Sequence, residues 1–280
     1  MSRPPELTNP AALARHRARA RRAPALFLHE VAVADLQERL SQVKRSFTAP
    51  AVVTGFPEAW RPGFPDAKIV ADDAVLDLEP GAHDLVIHGL ALHWANDPVG
   101  QLVQCRRALK PDGLFLGVLF GGQTLAELRA CLAQAESQVL GGLSPRVLPM
   151  GEIRDLGALL QRAGFALPVA DSSVHSVSYR DALHLMHDLR AMGETNALAQ
   201  RRRTPPPRAL FAEAARLYAE AFPAEDGRVS ATFEMIHLAG WAPHESQQQP
   251  LRPGSAVQRL AEALGTEELP LDAPATKGDD

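Results

Sequence analysis

His88, His93 and Trp94 stand close together at the end of one apolar run, and the acids Asp72 and Asp73 close the run before it. Imidazoles exchange protons near neutral pH, and a carboxylate accepts hydrogen bonds or pairs with a cation. Asp72, His88 and His93 also form the two-imidazole, one-carboxylate set that suits non-haem iron. Strand ends gather such residues by chance, however, and no metal is expected. In the plainer alternative Trp94 is core and the histidines bond backbone groups. A second cluster, His184, His187 and Asp188, has the spacing of one helix face, but with Leu183, Leu185 and Met186 around it an exposed stripe is the simpler assignment. His244-Glu245 is either an acid/base pair or a hydrogen-bonded loop anchor. No Ser-His-Asp, Walker or CxxC pattern occurs.

Two further groups could contact a ligand. Arg190, Glu194, Thr195 and Asn196 follow an amphipathic stretch in a polar loop, where substrate contacts often lie. Gly121-Gly122 precedes a helix and either cradles a carboxylate or simply turns the chain.

The elements that must position these residues alternate between strand and helix. Ala51-Val52-Val53-Thr54 is a short β-branched run ending in Gly55. Phe56-Pro57-Glu58-Ala59-Trp60 follows, where a nucleotide-binding domain opens a glycine-rich loop. Ile69 to Asp73 reads as a second, short strand, Asp84 to His88 as a buried one, and Leu114 to Phe120 as another. The spacing predicts a helix over Pro98 to Leu109, capped by Asn96 or Asp97 and stopped by Pro111-Asp112-Gly113. A capping box, Thr124 to Glu127, should open the next helix, with Leu125, Leu128, Leu132, Ala135 and Val139 as its apolar face. Further helices are expected from Glu152 to Ala163 and across Leu210 to Phe222, and strands at Val174–Tyr179 and Thr232–Trp241. Strand, crossover helix, strand marks an α/β sheet. Ligands of such sheets sit at the carboxyl ends of the strands, so Gly55, Asp72-Asp73, His88 to Trp94 and Gly121-Gly122 should rim one crevice.

The 280 residues, 46% hydrophobic and 22% charged, suffice for one large domain or a domain with an appendage. A net charge of −4 supplies no overall basic field, so nucleic acid is not expected as a partner. No apolar run reaches the roughly 18 residues of a membrane span, which leads to the expectation of a soluble protein. Cys105 and Cys131 lack metal spacing and read as buried thiols in a reducing compartment. Arg15, Arg17, Arg19, Arg21 and Arg22, with Glu6 as the one nearby acid, fit a transit peptide, the outer face of a first helix, or a frayed terminus. Arg201-Arg202-Arg203 before Pro205-Pro206-Pro207 is either a solvated linker or a basic docking site. Thr266 to Asp280 reads as a disordered tail.

From Asp84 onward the chain resembles class I S-adenosylmethionine-dependent methyltransferases, through HDLVIHGLALHWANDP and LVQCRRALKPDGLFLG. FGGQTLAELRACLAQAE, GGLSPRV, RDLGALLQRAGF, LHLMHDLRAMGETNA and GWAPHESQQQPLRPGSA narrow the resemblance to the respiratory complex I assembly factor 5 family and its bacterial relatives. It covers residues 84–256. The resemblance implies a Rossmann-like methyltransferase sheet with helices on both faces, truncated around the first and second strands, plus a helical cap within about 180–225. The expected domains are a basic helical segment over 1–47, the methyltransferase-like domain over 48–256, and a C-terminal helix and tail over 257–280. The cofactor would meet Gly55, Asp72, Asp73, His88 and Leu90. His88, His93 and Trp94 would be the catalytic candidates, and Gly121, Gly122, Arg190, Glu194 and Asn196 would face substrate or partner.

The chain departs from the family where the cofactor loop should be. Thr54 stands in place of an acid, Gly55 is the one glycine kept, Phe56 adds bulk and Pro57 removes a donor. The stretch from Gly55 to Ile69 is too short for a full helix and strand. The resemblance implies an assembly or modification factor for respiratory NADH dehydrogenase, with a complex I subunit as partner and peripheral membrane association through it. An active S-adenosylmethionine-dependent methyltransferase on a small carboxylate or protein side chain is the alternative. The expected compartment is a bacterial cytoplasm, with a mitochondrial matrix as the alternative.

Overall fold

The four residues after Pro50 in β1 (Pro50–Thr54) are all buried, so this strand has no solvent face and must lie inside a sheet. The computed structural model, which describes residues 6–248 and 265–266, places it there. β2 (Lys68–Val70) and β3 (His83–Gly89) pair with β1 on opposite sides, both parallel. β4 (Leu109–Phe120) continues parallel beside β3. β5 (Ala166–Tyr179) and β6 (Val229–Trp241) complete the order β2-β1-β3-β4-β6-β5, with β6 antiparallel to both its neighbours. The winding reverses at β1, so the crevice outside the carboxyl ends of β1 and β3 is the switch point where such sheets bind ligands.

Helices cover both faces. α1 (Pro10–Ala20), α2 (Phe27–Gln42) and the single turn α3 (Pro57–Trp60) precede β2. α4 (Pro98–Ala108), α5 (Ala126–Leu140), α6 (Ile153–Ala163), α7 (Ala182–Ala191) and α8 (Arg208–Ala221) follow. Odd and even positions of the strands enter separate cores. Val52, Leu85, Ile87, Leu116 and Val118 pack with residues of α2, α5, α7 and α8, whereas Val53, Val86, Phe115 and Leu119 pack with α4 and α6. The expected cap is thus part of a layer: Leu185, Leu189, Leu210, Leu217 and Tyr218 share the main core with β6.

Local signals explain most element ends. Asp97 caps α4, its carboxylate accepting from Gly100 N at 2.8 Å, and Pro98 sits in the first turn. Gly164, at φ +82°, ends α6. Between β1 and β2 there is room for one helical turn, as the short spacing requires.

Three expectations fail. The Thr124–Glu127 capping box does not form: Thr124 Oγ1 donates to Glu234 O and accepts from Glu234 N, both at 3.0 Å, and α5 starts behind Leu125 at φ +53°. The backbone of β6 competes successfully for the hydroxyl. Val139 is also exposed rather than part of the apolar face of α5. β5 runs well beyond the expected Val174–Tyr179, because β6 supplies a partner along most of its length.

By contacts the chain divides into Met1–His244, which holds every element named above, and Glu245–Asp280. The helix and tail expected over 257–280 lie outside the described residues except for 265–266. Among the described residues no helix is long and apolar enough to cross a membrane.

Candidate functional site

At the switch point the chain fills its own crevice. Arg17, one of the arginines of the basic start, is buried with Ala12, Leu13 and Ala20 on the inner stripe of α1. Its Nη1 donates to both oxygens of Asp72, at 2.6 and 2.8 Å. The guanidinium lies flat against Gly55: a Cβ added there would come within 2.4 Å of Cζ and 2.7 Å of Nε. Arg21, one turn on, donates to Gly55 O at 2.8 Å. The glycine and the acid closing the first two strands are thus both engaged by the N-terminal helix.

α3 adds two aromatic plugs. Trp60 is fully buried, its ring so close to Gly89 that a Cβ there would sit 2.3 Å from Cζ2, and its Nε1 donates to His29 Nδ1 at 3.0 Å. Phe56 presses on Gly193, whose φ of +78° only glycine adopts without strain. Thr54 uses its hydroxyl locally, accepting from Phe56 N at 3.2 Å. Burial pushes His29 down to about 4, with the nearby Arg17 and His93 lowering it further and Glu194 opposing them.

Two clefts share Trp94 in their walls, and the first of them also meets Arg17 of the plug. The first, of about 640 Å³, is lined by Leu13, Arg17, Asp72, Asp73, Trp94, Asn96, Asp97 and Gln101, among others. The second, of about 270 Å³, is mostly apolar, with Phe120, Leu125, Leu128, Met186, Phe211 and Phe233 in its wall. Its polar groups are Thr124, Arg146, Arg190, Glu194, Thr195 and Asn196. Arg146 is already paired with the buried Glu136 at 2.6 Å.

Glu194 is the central polar group of the second cleft. Its carboxylate accepts from Trp94 Nε1 at 2.8 Å and lies 3.3 Å from His93 Nε2. Burial alone would raise its pKa, but His93, Arg17 and the Trp94 hydrogen bond outweigh it and lower the value, holding an anion against an apolar wall. The catalytic candidates His93 and Trp94 and the contact candidate Glu194, about a hundred residues apart in sequence, therefore form one constellation.

The other candidates separate. His88 is fully buried, its Nε2 2.8 Å from Gln101 Oε1, while Gln101 Nε2 donates to the Asp73 carbonyl. Burial lowers its pKa first, with Gln101 and Asp72 opposing. Gln101 thus ties His88 to the Asp72-Asp73 segment just past the end of β2, and His88 lines neither cleft. Leu90, buried at φ +46°, and Gly55 also line neither. Gly121 and Gly122 face Glu234 and Glu152 rather than these clefts, so the single crevice expected to include them is not formed. Asp73 is exposed at the first cleft and Arg190 at the second. Asn196 pins two loops, donating to Pro145 O at 2.8 Å and accepting from Leu198 N. Asp188 is taken by Tyr179 OH at 3.1 Å, away from the site.

Sequence reasoning did not single out Arg17, His29 or Gln101. A signal for Arg17 exists: with Leu13 and Ala20 it falls at i, i+4 and i+7, the spacing of one buried helix stripe.

A family model described as a methyltransferase domain matches residues 21–117, across the shortened β1–β2 connection. The mouse protein named arginine-hydroxylase NDUFAF5, mitochondrial, is 41% identical over 198 residues, covering 71% of this chain and 57% of that protein. A malonyl-acyl-carrier-protein O-methyltransferase of Xylella fastidiosa (strain M23) is 36% identical over 179 residues, 64% of this chain and 58% of the other. Among solved structures the YcgJ protein of Bacillus subtilis superposes at a TM-score of 0.48 and 12% identity, over 76% of this chain and 98% of its own. The chain spans between 45% and 61% of the length of the NDUFAF5 proteins it matches. On its matching methyltransferase domain, its similarity to those relatives and its own sheet, this chain belongs to the class I S-adenosylmethionine-dependent methyltransferase superfamily, near the arginine-hydroxylase NDUFAF5 proteins.

Proposed function

We propose that this chain is an assembly factor for respiratory NADH dehydrogenase that grips a complex I subunit through the second cleft and works without S-adenosylmethionine. One observation carries the second half of this reading: Arg17 covers Gly55 and neutralises Asp72. A bound S-adenosylmethionine needs the glycine's open face and a free carboxylate. It would also bring a sulfonium cation towards a guanidinium already in place. Trp60 and Phe56 occupy the rest of the switch point. The residues present do not fit the cofactor in this arrangement, and no chemical step is assigned to it.

The first half draws on the relatives. Those at about 41% identity are named arginine-hydroxylases and mitochondrial, and the motifs from FGGQTLAELRACLAQAE to GWAPHESQQQPLRPGSA resemble the complex I assembly factor 5 family, which implies a complex I partner. The second cleft suits a guanidinium, because the apolar walls take its methylene stem and Glu194 offers it a fixed anion. On this reading the protein works beside the respiratory chain, in a bacterial cytoplasm or a mitochondrial matrix, and meets the membrane through its partner. The retained Asp72 supports a second reading, an active S-adenosylmethionine-dependent methyltransferase on a small carboxylate or protein side chain.

Isothermal titration with S-adenosylmethionine separates the two. No heat up to millimolar ligand is expected for the wild type. Micromolar binding that disappears in Asp72→Ala would overturn the cofactor-free reading and favour the methyltransferase. For the partner, co-purification with NADH dehydrogenase subunits should weaken in Glu194→Gln, and undiminished co-purification would count against the cleft as the grip.

A further inference from the structure

Two arginine runs far apart in the chain share one surface. Residues 6–25 hold Arg15, Arg17, Arg19, Arg21 and Arg22 against a single acid, Glu6, and residues 190–208 hold Arg190, Arg201, Arg202, Arg203 and Arg208 against a single acid, Glu194. The backbone laces the two segments together: Asn9 N donates to Ala197 O and Ala199 N to Leu7 O, each at 2.8 Å. His16 Nδ1 lies 3.2 Å from Thr195 O, and Ala12 and Leu13 pack against Ala197 and Leu198. The His16 pKa is lowered, by burial first and then, against the bond to Thr195 O, by the charges of Arg19, Arg201 and Arg15, which places these cations in one locality.

The structure uses Arg17 and Arg21 internally, on Asp72 and Gly55. Arg15, Arg19, Arg202 and Arg203 are exposed and form no ion pair among the described residues. Arg15 and Arg19 lie near His16, which touches Thr195 O, and Arg202 and Arg203 follow that loop in the chain; its Thr195 and Asn196, with the exposed Arg190, border the second cleft. In a chain of net charge −4 this is marked charge segregation at the mouth of a cleft.

We propose that this arginine surface recruits an acidic polypeptide segment, so that the partner residue entering the second cleft is flanked by Asp and Glu. The proposal rests on reading that cleft as a partner's socket. A polypeptide is favoured over a lipid surface because the loop carrying Thr195 and Asn196, which His16 of the arginine-rich helix touches, borders a concave cleft of about 270 Å³ that admits a side chain, whereas a bilayer surface is flat. Arginine forks pair well with carboxylates, and such complementarity governs encounter and register.

The test uses two short fluorescein-labelled peptides with the same central arginine, one flanked by Asp and Glu, the other by Ser and Gln. Anisotropy is read at low and moderate salt, for the wild type and for a variant carrying Arg15→Ser, Arg19→Ser, Arg202→Ser and Arg203→Ser, with circular dichroism confirming its fold. The acidic peptide should bind the wild type at least about tenfold more tightly than the neutral one, and salt or the variant should erase that preference. Equal binding of the two peptides, an undiminished preference in the variant, or no binding of the acidic peptide overturns the proposal. If both peptides bind equally and both are lost in Glu194→Gln, the socket reading survives and only the acidic-partner inference falls. If acidic binding survives Glu194→Gln undiminished, the surface stands and the socket reading falls. Retention on phosphatidylcholine vesicles containing about one third phosphatidylglycerol, lost in the variant without any peptide preference, assigns the surface to a membrane and overturns the proposal.

Discussion

A buried guanidinium needs its charge met, and Arg17 achieves this by claiming the Asp72 carboxylate through Nη1, while its buried Nε, against Gly55, has no hydrogen-bond partner. Its side chain and that of Asp72 are 9% and 10% exposed, so removing one partner strands a buried charge. Arg17→Ala is therefore expected to cost about 3 kcal/mol in urea unfolding, with Asp72→Asn in the same chain recovering part of the loss. Arg17→Lys should recover only part, since an ammonium does not lie flat over the glycine. A neutral outcome for Arg17→Ala would mean that water replaces the pair freely. Gly193 plays a complementary part: its positive φ and missing Cβ let the Glu194 loop settle on Phe56 and Arg17.

At the scale of elements, the β1–β2 connection is what sets this chain apart. A single turn, α3, replaces a crossover helix, and Trp60 on that turn packs into the space that Gly89 leaves at the end of β3. The fit is tight enough that Gly89→Ala must push the ring or the strand aside. An overpacking loss of about 2 kcal/mol is expected, visible as a lower thermal midpoint and altered tryptophan fluorescence. Unchanged stability would show that Trp60 has room to move and that the plug is loose. The neighbouring elements were legible because their signals are local: Asp97 and Pro98 at one end of a helix, Gly164 at the end of another, β-branched runs in the strands. The failed capping box shows the limit, since Thr124 had a local role available and a distant strand outbid it.

The whole molecule should report its buried titratable groups as pH falls. His29 is held neutral, with its value pushed down to about 4 from an ordinary 6.5, and burial lowers His88 and His237 as well. Their folded values lie below the unfolded ones, so the stability they contribute is complete above pH 6.5 and is lost as pH falls towards the folded values. Burial works against ionised Glu136, yet the bonds and charge of Arg146 and the Ser144 contacts prevail and bring it to about 2 from 4.5. Its contribution is therefore present above pH 4.5 and is lost between there and about 2. Urea unfolding across pH should show both declines. His29→Gln, which keeps an acceptor for Trp60, should shallow the first, and Glu136→Gln should remove the second. An unchanged slope in either variant would assign that decline to other groups. The alternation of strand and helix, the bulk of Phe56 and Pro57 directly after Gly55 and the motifs of a methyltransferase relative were determined by sequence alone, because each depends on residues near one another along the chain. Only the tertiary structure could decide that an arginine of the first helix fills the crevice, that His93, Trp94 and Glu194 meet while His88 turns away, and that two arginine runs form one surface. Those outcomes depend on which distant segments pack together, and packing is decided by burial and charge pairing across the fold.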